Sequence, residues 1–135
     1  QSFYHTDTPT HTIYRFNYEA ATGAITGRSP FICTEEENMP GRPDGMTVDS
    51  EGCVWSAHWE GHCLVRYSPD GKVLTRIDFP VPRVSSVTFG GPHYTDVYVT
   101  TAGGNKKHEQ GELAGAVFHL QPGIKGMPEF RSVIR

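Results

Sequence analysis

Apolar and polar positions alternate along most of this chain. Ile13-Tyr14-Arg15-Phe16-Asn17-Tyr18 sets rings between polar side chains, the two-residue period of a strand with one covered face. The same signal returns in Cys53 to Trp59, Leu64 to Tyr67, Val73 to Phe79, Val84 to Phe89, Val97 to Thr101 and Ala116 to Leu120, with a shorter piece at Met46 to Val48. Turn formers punctuate these runs: Thr22-Gly23, Ser50-Glu51-Gly52, Pro69-Asp70-Gly71 and Gly90-Gly91-Pro92. No helical period emerges. The acidic run Glu35-Glu36-Glu37 is short and is soon followed by Pro40.

The strands recur as units. Asp44 to Val48, a turn, then Val54 to Ala57 has the same grammar as Ser86 to Phe89, a turn, then Val97 to Thr100. Trp55 and Tyr98 hold matching places, and Tyr4 matches them upstream; Trp55 and Tyr98 read as core packing rather than as ligand-stacking rings. Third strands match as well, at Ile13 to Phe16, Leu64 to Tyr67 and Val117 to Leu120. Repeats of about 40 to 50 residues, each a four-stranded meander, are the mark of propeller blades. The fold expected is all-β: a partial six-bladed propeller. A three-stranded remnant spans residues 1–38, and complete four-stranded blades span 40–82 and 83–135. The remnant begins at its second strand, so its innermost strand lies outside the chain. An open stack of blades leaves two faces in water. The expectation is that missing blades in an N-terminal half complete it, or that copies associate as a homo-oligomer.

Composition agrees with short strands and tight turns: 15 Gly, 10 Pro, 7 Phe, 6 Tyr and 2 Trp in 135 residues. The formal charge of -3, with basic residues scattered, argues against nucleic acid as a partner. No run approaches the roughly 18 apolar residues of a membrane span, so no membrane partner is expected. Gln1 to His5 has neither the basic nor the apolar part of a secretory leader, which favours the cytoplasm without fixing a compartment. Cys33, Cys53 and Cys63 form no even framework; packed thiols are expected, with a Cys53–Cys63 bridge left open.

Asp44 is the leading candidate for chemistry. It stands between Pro43 and Gly45, just before an innermost strand, where a propeller axis opens to solvent. A carboxylate there can take a hard cation or act as a base towards water. A plain Asx-turn before a strand is the alternative. Asp49, Glu51 and Asp70 fall in tight turns and read as turn formers. His58, Glu60 and His62 have the wrong order for H-E-x-x-H and sit in a hairpin, so zinc is not expected on them. The polar stretch Gly103 to Leu113, with Asn105, Lys106 and His108, is longer than its blade requires. It reads either as a surface loop or as one reaching the site or a partner.

Residues 43–57, with P-D-G-[apolar]-x-[apolar]-D-x-x-G-x-[apolar]-W, resemble the senescence-marker-protein, gluconolactonase and luciferin-regenerating-enzyme family, also called regucalcin-like. The likeness continues through Val65 to Gly71, Ser85 to Gly91 and Val97 to Ala102, and upstream through Phe16-Asn17-Tyr18 and Thr22-Gly23. It spans about the C-terminal half of a six-bladed member. The resemblance implies a sugar-lactone hydrolase that uses a divalent metal, Ca²⁺ or Zn²⁺, with Asp44 as metal ligand and base. The family's other ligands, a glutamate of the first blade and an asparagine opening the remnant's blade, have no counterpart in this chain. Nor do its substrate-positioning Arg and Asn. Two functions are therefore expected to compete: a metal-dependent lactonase with an incomplete site, and a non-catalytic half-propeller that self-associates or binds.

Overall fold

Ten strands form along residues 1–129, the part of the chain that the computed structural model describes. They are β1 (Ser2–Asp7), β2 (Thr12–Glu19), β3 (Ala24–Cys33), β4 (Arg42–Val48), β5 (Val54–Trp59), β6 (Cys63–Tyr67), β7 (Val73–Asp78), β8 (Val84–Gly90), β9 (Asp96–Thr101) and β10 (Val117–Leu120). They make three antiparallel meanders: β1-β2-β3, β4-β5-β6-β7 and β8-β9-β10. This is the partial propeller expected. The last sheet has three strands among the described residues, and the blade read from 83 to 135 runs on into 130–135, outside them.

Core residues lie between the sheets. Ile13 and Ile32 of the first sheet meet Cys63, Val65 and Tyr67 of the second, with Tyr4, Met39 and Met46 packed against them. Trp55, Ala57 and Leu64 on the other face of the second sheet meet Val84, Val87, Phe89, Val97 and Val99 of the third. The middle sheet is thus covered on both faces, and β5 and β6 are buried almost throughout. Strand period explains this: odd and even positions of one strand feed opposite neighbours.

Trp55 and Tyr98 do occupy equivalent sites, for Trp55 pairs with Thr47 as Tyr98 pairs with Thr88. Their environments differ. Trp55 is fully buried and packs edge-on against Phe89 at 5.7 Å, whereas Tyr98 is 39% exposed and stacks on His119. The core role expected of Tyr98 is therefore corrected. Each such ring faces the following blade, and among the described residues no sheet follows β8-β9-β10.

Strands β4 and β8 are the neighbouring inner edges of their sheets and run side by side in the same direction. At their C-terminal ends a single segment crosses both. Lys125 O accepts from Ser50 N at 2.8 Å, Gly126 bridges Asp49, and Gly126 N donates to Tyr94 O at 2.7 Å. At their N-terminal ends the hairpin after β5 meets the approach to β8, where His62 N donates to Pro82 O and Arg83 Nε to Glu60 at 2.6 Å.

One short helix, α1 (Lys107–Gln110), follows a 3-10 turn at Gly104–Lys106, and a second 3-10 turn sits at Thr8–Thr10. The sequence shows no helical period there because a single turn of four residues is too short to leave one. Among the described residues no helix is long and apolar enough to cross a membrane. All three cysteines are free thiols. The open bridge between Cys53 and Cys63 is excluded by register, since Cys63 faces His58 and Cys53 precedes β5 at its other end.

Candidate active site

Asp44 stands third in β4, half-buried, at the end where the inner strands begin. Pairing with β5 is interrupted between Pro43 and Met46, so Asp44 and Gly45 form a bulge that frees the carboxylate from the regular pleat. Gly45 is required by proximity. A Cβ there would lie 2.6 Å from Ser86 Cβ and 2.7 Å from Ser86 Cα, so β4 and β8 touch backbone to backbone beside Asp44. Burial raises the carboxyl's proton affinity above the usual carboxylate range, against a smaller opposing effect of the Gly45 N–H. Among the described residues no side chain bonds it.

The approach to Asp44 is held firmly. His58, fully buried in β5, donates from Nδ1 to Pro40 O at 2.9 Å, and its Nε2 lies 3.3 Å from the Tyr67 hydroxyl. Desolvation keeps this imidazole neutral by lowering its proton affinity. Gly41, at φ +72°, packs on the hairpin with no room for a side chain, its virtual Cβ being 2.6 Å from Gly61 Cα. Residues 40–43 therefore present Asp44 from a fixed ramp.

The loop read as a possible site loop leaves β9 at this same end. Val84 pairs with Thr101, and Ala102 N donates to Arg83 O at 3.0 Å. Its return is tied down too. Thr101 Oγ1 donates to Ala116 O at 2.8 Å and accepts from Gly115 N at 3.1 Å, and Ala114 is buried. Asn105 and His108 are exposed within it, and Lys106 ends its 3-10 turn.

Asp49 follows β4 at the opposite end. Its carboxylate is fully buried and saturated: Oδ1 accepts from the N–H of Glu51 and Cys53, and Oδ2 from Trp55 Nε1 and Arg66 Nε, at 2.8–2.9 Å. Burial alone would raise its proton affinity. The bonds from Trp55, Arg66 and the two backbone donors win, and hold it below the usual range. The turn role expected of Asp49 stands, but its Arg66 partner and its complete burial were not legible in the spacing. Glu51 reaches the other side of Arg66 at 2.6 Å, and Asp70 bonds Ser68 and Lys72 in its own turn.

His58, Glu60 and His62 do not converge: His58 is spent on Pro40 and Tyr67, Glu60 pairs with Arg83, and His62 is exposed. Among the described residues no group of three His, Cys, Asp or Glu side chains is placed to hold a metal ion. Asp44 offers one oxygen-bearing group, short of the six to eight ligands of Ca²⁺ or the four of Zn²⁺. The described residues alone do not fit a metal centre.

Residues 1–103 match the family described as the SMP-30/Gluconolactonase/LRE-like region. The chain belongs to that family. A pentonolactonase of Haloferax volcanii is 48% identical over the whole chain, which covers 48% of that enzyme. A 6-deoxy-6-sulfogluconolactonase of Pseudomonas putida is 36% identical over 93% of the chain and 44% of the enzyme. Among solved structures, luciferin-regenerating enzyme superposes with a TM-score of 0.84 at 31% identity, over 93% of this chain and 43% of that one. Regucalcin of Agrobacterium tumefaciens, described as a calcium-binding protein, gives 0.82 at 28% identity, over 99% and 45%. The chain spans slightly under half the length of these relatives. Two features near the site escaped the sequence reading: His58 as the anchor of Pro40, and a groove between Arg42 and Trp59. Both depend on the register between β4 and β5.

Proposed function

We propose that this chain carries the Asp44 part of a sugar-lactone hydrolase site at the open end of its inner strands. The observation that supports it most is an aspartate on a rigid ramp, desolvated and left without a side-chain partner among the described residues. Such a group is out of place as a turn former, since Asp49 displays what a structural carboxylate requires. In this reading Asp44 takes a proton from the water that attacks the lactone carbonyl. The ring C–O bond then breaks, the ring oxygen leaves as a hydroxyl, and a hydroxy acid results. A divalent cation, Ca²⁺ or Zn²⁺, is the cofactor that family membership suggests. Asp44 would be one of its ligands, and the remaining ligands would come from another half of the protein or another copy. Lactonase names among the relatives support the substrate class. Asn105, Lys106 and His108 border the site in this proposal, because their loop springs from the Asp44 end.

The test is lactone hydrolysis by the folded chain, followed by pH-stat with gluconolactone and a pentonolactone, with Ca²⁺ or Zn²⁺ added. Metal-dependent turnover that disappears in Asp44→Asn is expected. A folded, metal-loaded chain that hydrolyses neither lactone removes the reading for this chain.

A second reading, a non-catalytic half-propeller that self-associates, draws on the uncovered sheet faces at Tyr98 and Phe3. A strict monomer of 15.0 kDa with a cooperative melt would argue against it.

A further inference from the structure

Where β4 begins, a groove of about 460 Å³ opens between the first and second sheets, lined by His11, Glu35, Met39, Arg42, Trp59 and Glu60 among others. Glu60 is held by Arg83 at 2.6 Å, and Glu35, largely exposed, lies 3.6 Å from His11 Nδ1. Arg42 is exposed and has no ion pair among the described residues. It stands directly opposite Trp59 in register. Trp59 is half-buried, with the Arg83 guanidinium over its ring at 5.1 Å, so the indole is fixed as a wall rather than free to turn away.

We propose that this groove is a subsite for an anionic group at the far end of a sugar lactone, with Arg42 as its charged partner and Trp59 as the wall against the sugar ring. This rests on the reading of Asp44 as the reacting end. Arg42 precedes Asp44 by two positions, about 7 Å along a strand. That span suits a substrate whose carbonyl lies at Asp44 and whose terminal carbon reaches Arg42. A guanidinium presents a planar fork that pairs with a carboxylate, sulfonate or phosphate through two parallel bonds. A neutral hydroxymethyl group at that terminus can use only one of them. The groove therefore selects acidic sugar lactones over their neutral counterparts.

Binding tests this without turnover. The chain is titrated with D-glucuronate and with D-glucose, which differ at the terminal carbon, while the Trp59 indole N–H is followed by NMR; fully buried Trp55 is the internal control. Glucuronate is expected to move the Trp59 signal at concentrations at least tenfold below those glucose requires. Arg42→Gln should abolish that preference, and Arg42→Lys should keep part of it, because charge survives without the fork. Asp44→Asn should leave it intact. A parent chain that hydrolyses no lactone yet keeps the Trp59 preference would thus fault the catalytic reading and spare the subsite. Equal responses to the two sugars, an unmoved Trp59, or an undiminished preference in Arg42→Gln would overturn the proposal.

Discussion

Two aspartates stand at opposite ends of one strand, and they have opposite fates. Asp49, below β4, is buried completely and receives four hydrogen bonds, two from backbone and two from side chains. Asp44, above it, is half-buried, with the Gly45 N–H as its neighbouring donor and no side-chain partner among the described residues. The same chemical group is held below its ordinary proton affinity at one end and pushed above it at the other. A fold that gathers four donors around one carboxylate has the means to satisfy another. Leaving Asp44 with one backbone donor and no side-chain partner among the described residues is a cost of about the kind that binding sites carry.

The largest expected effect is at Asp49. Asp49→Ala strips the Arg66 guanidinium of its buried partner, leaving only Glu51 on the exposed side, and should cost about 3–5 kcal/mol in urea unfolding; a loss below about 1 kcal/mol would break the contrast. Asp49→Asn tests the charge. Because the folded state depresses this carboxyl, its contribution is complete above about pH 4 and is lost as pH falls through the lower folded value. The Asn variant should lack that part of the acid-limb slope. Next comes Gly45→Ala, which forces a methyl into Ser86. A cost of about 1–3 kcal/mol is expected, read as a lowered melting temperature. Glu51→Gln removes only the exposed side of the Arg66 pairing and should cost about 1 kcal/mol or less in the same assay. Smallest is Asp44→Asn, within about 0.5 kcal/mol of the parent and on the stabilising side at neutral pH. Its sign follows from the raised proton affinity. The parent loses stability as pH rises from the ordinary carboxylate value through the higher folded one, and the Asn variant does not. Destabilisation comparable to that of Asp49→Ala would erase the distinction between the two residues.

Most strands were legible because their period is two and their rings recur from blade to blade. β3 was not. Ala24–Cys33 has Gly, Ser and Pro within it and an almost wholly exposed face, so no alternation marks it; pairing with β2 makes it a strand. Asp44 was legible from its P-D-G setting. The importance of Asp49 was not, since nothing in local spacing announces that Arg66, from the next strand but one, will close over it. Tyr98 misled for a related reason. Its place in the repeat was correctly read, but burial depends on the neighbour it faces, which one blade's sequence does not contain. His58, set apart from a zinc motif by its spacing, had no role assigned from the sequence and proved to be an anchor, because register turned its ring towards Pro40 and Tyr67.

Lys125 and Gly126 cross beneath β4 and β8 and are bonded to the turns of both sheets, with Gly126 pressed against the Phe89 ring. The head, where Asp44 and the Gly103 loop stand, is pinned as well, by His62 on Pro82 and Arg83 on Glu60. Two planks fastened at foot and head keep one angle, so the width of the mouth beside Asp44 is set by both ends of the pair of sheets together.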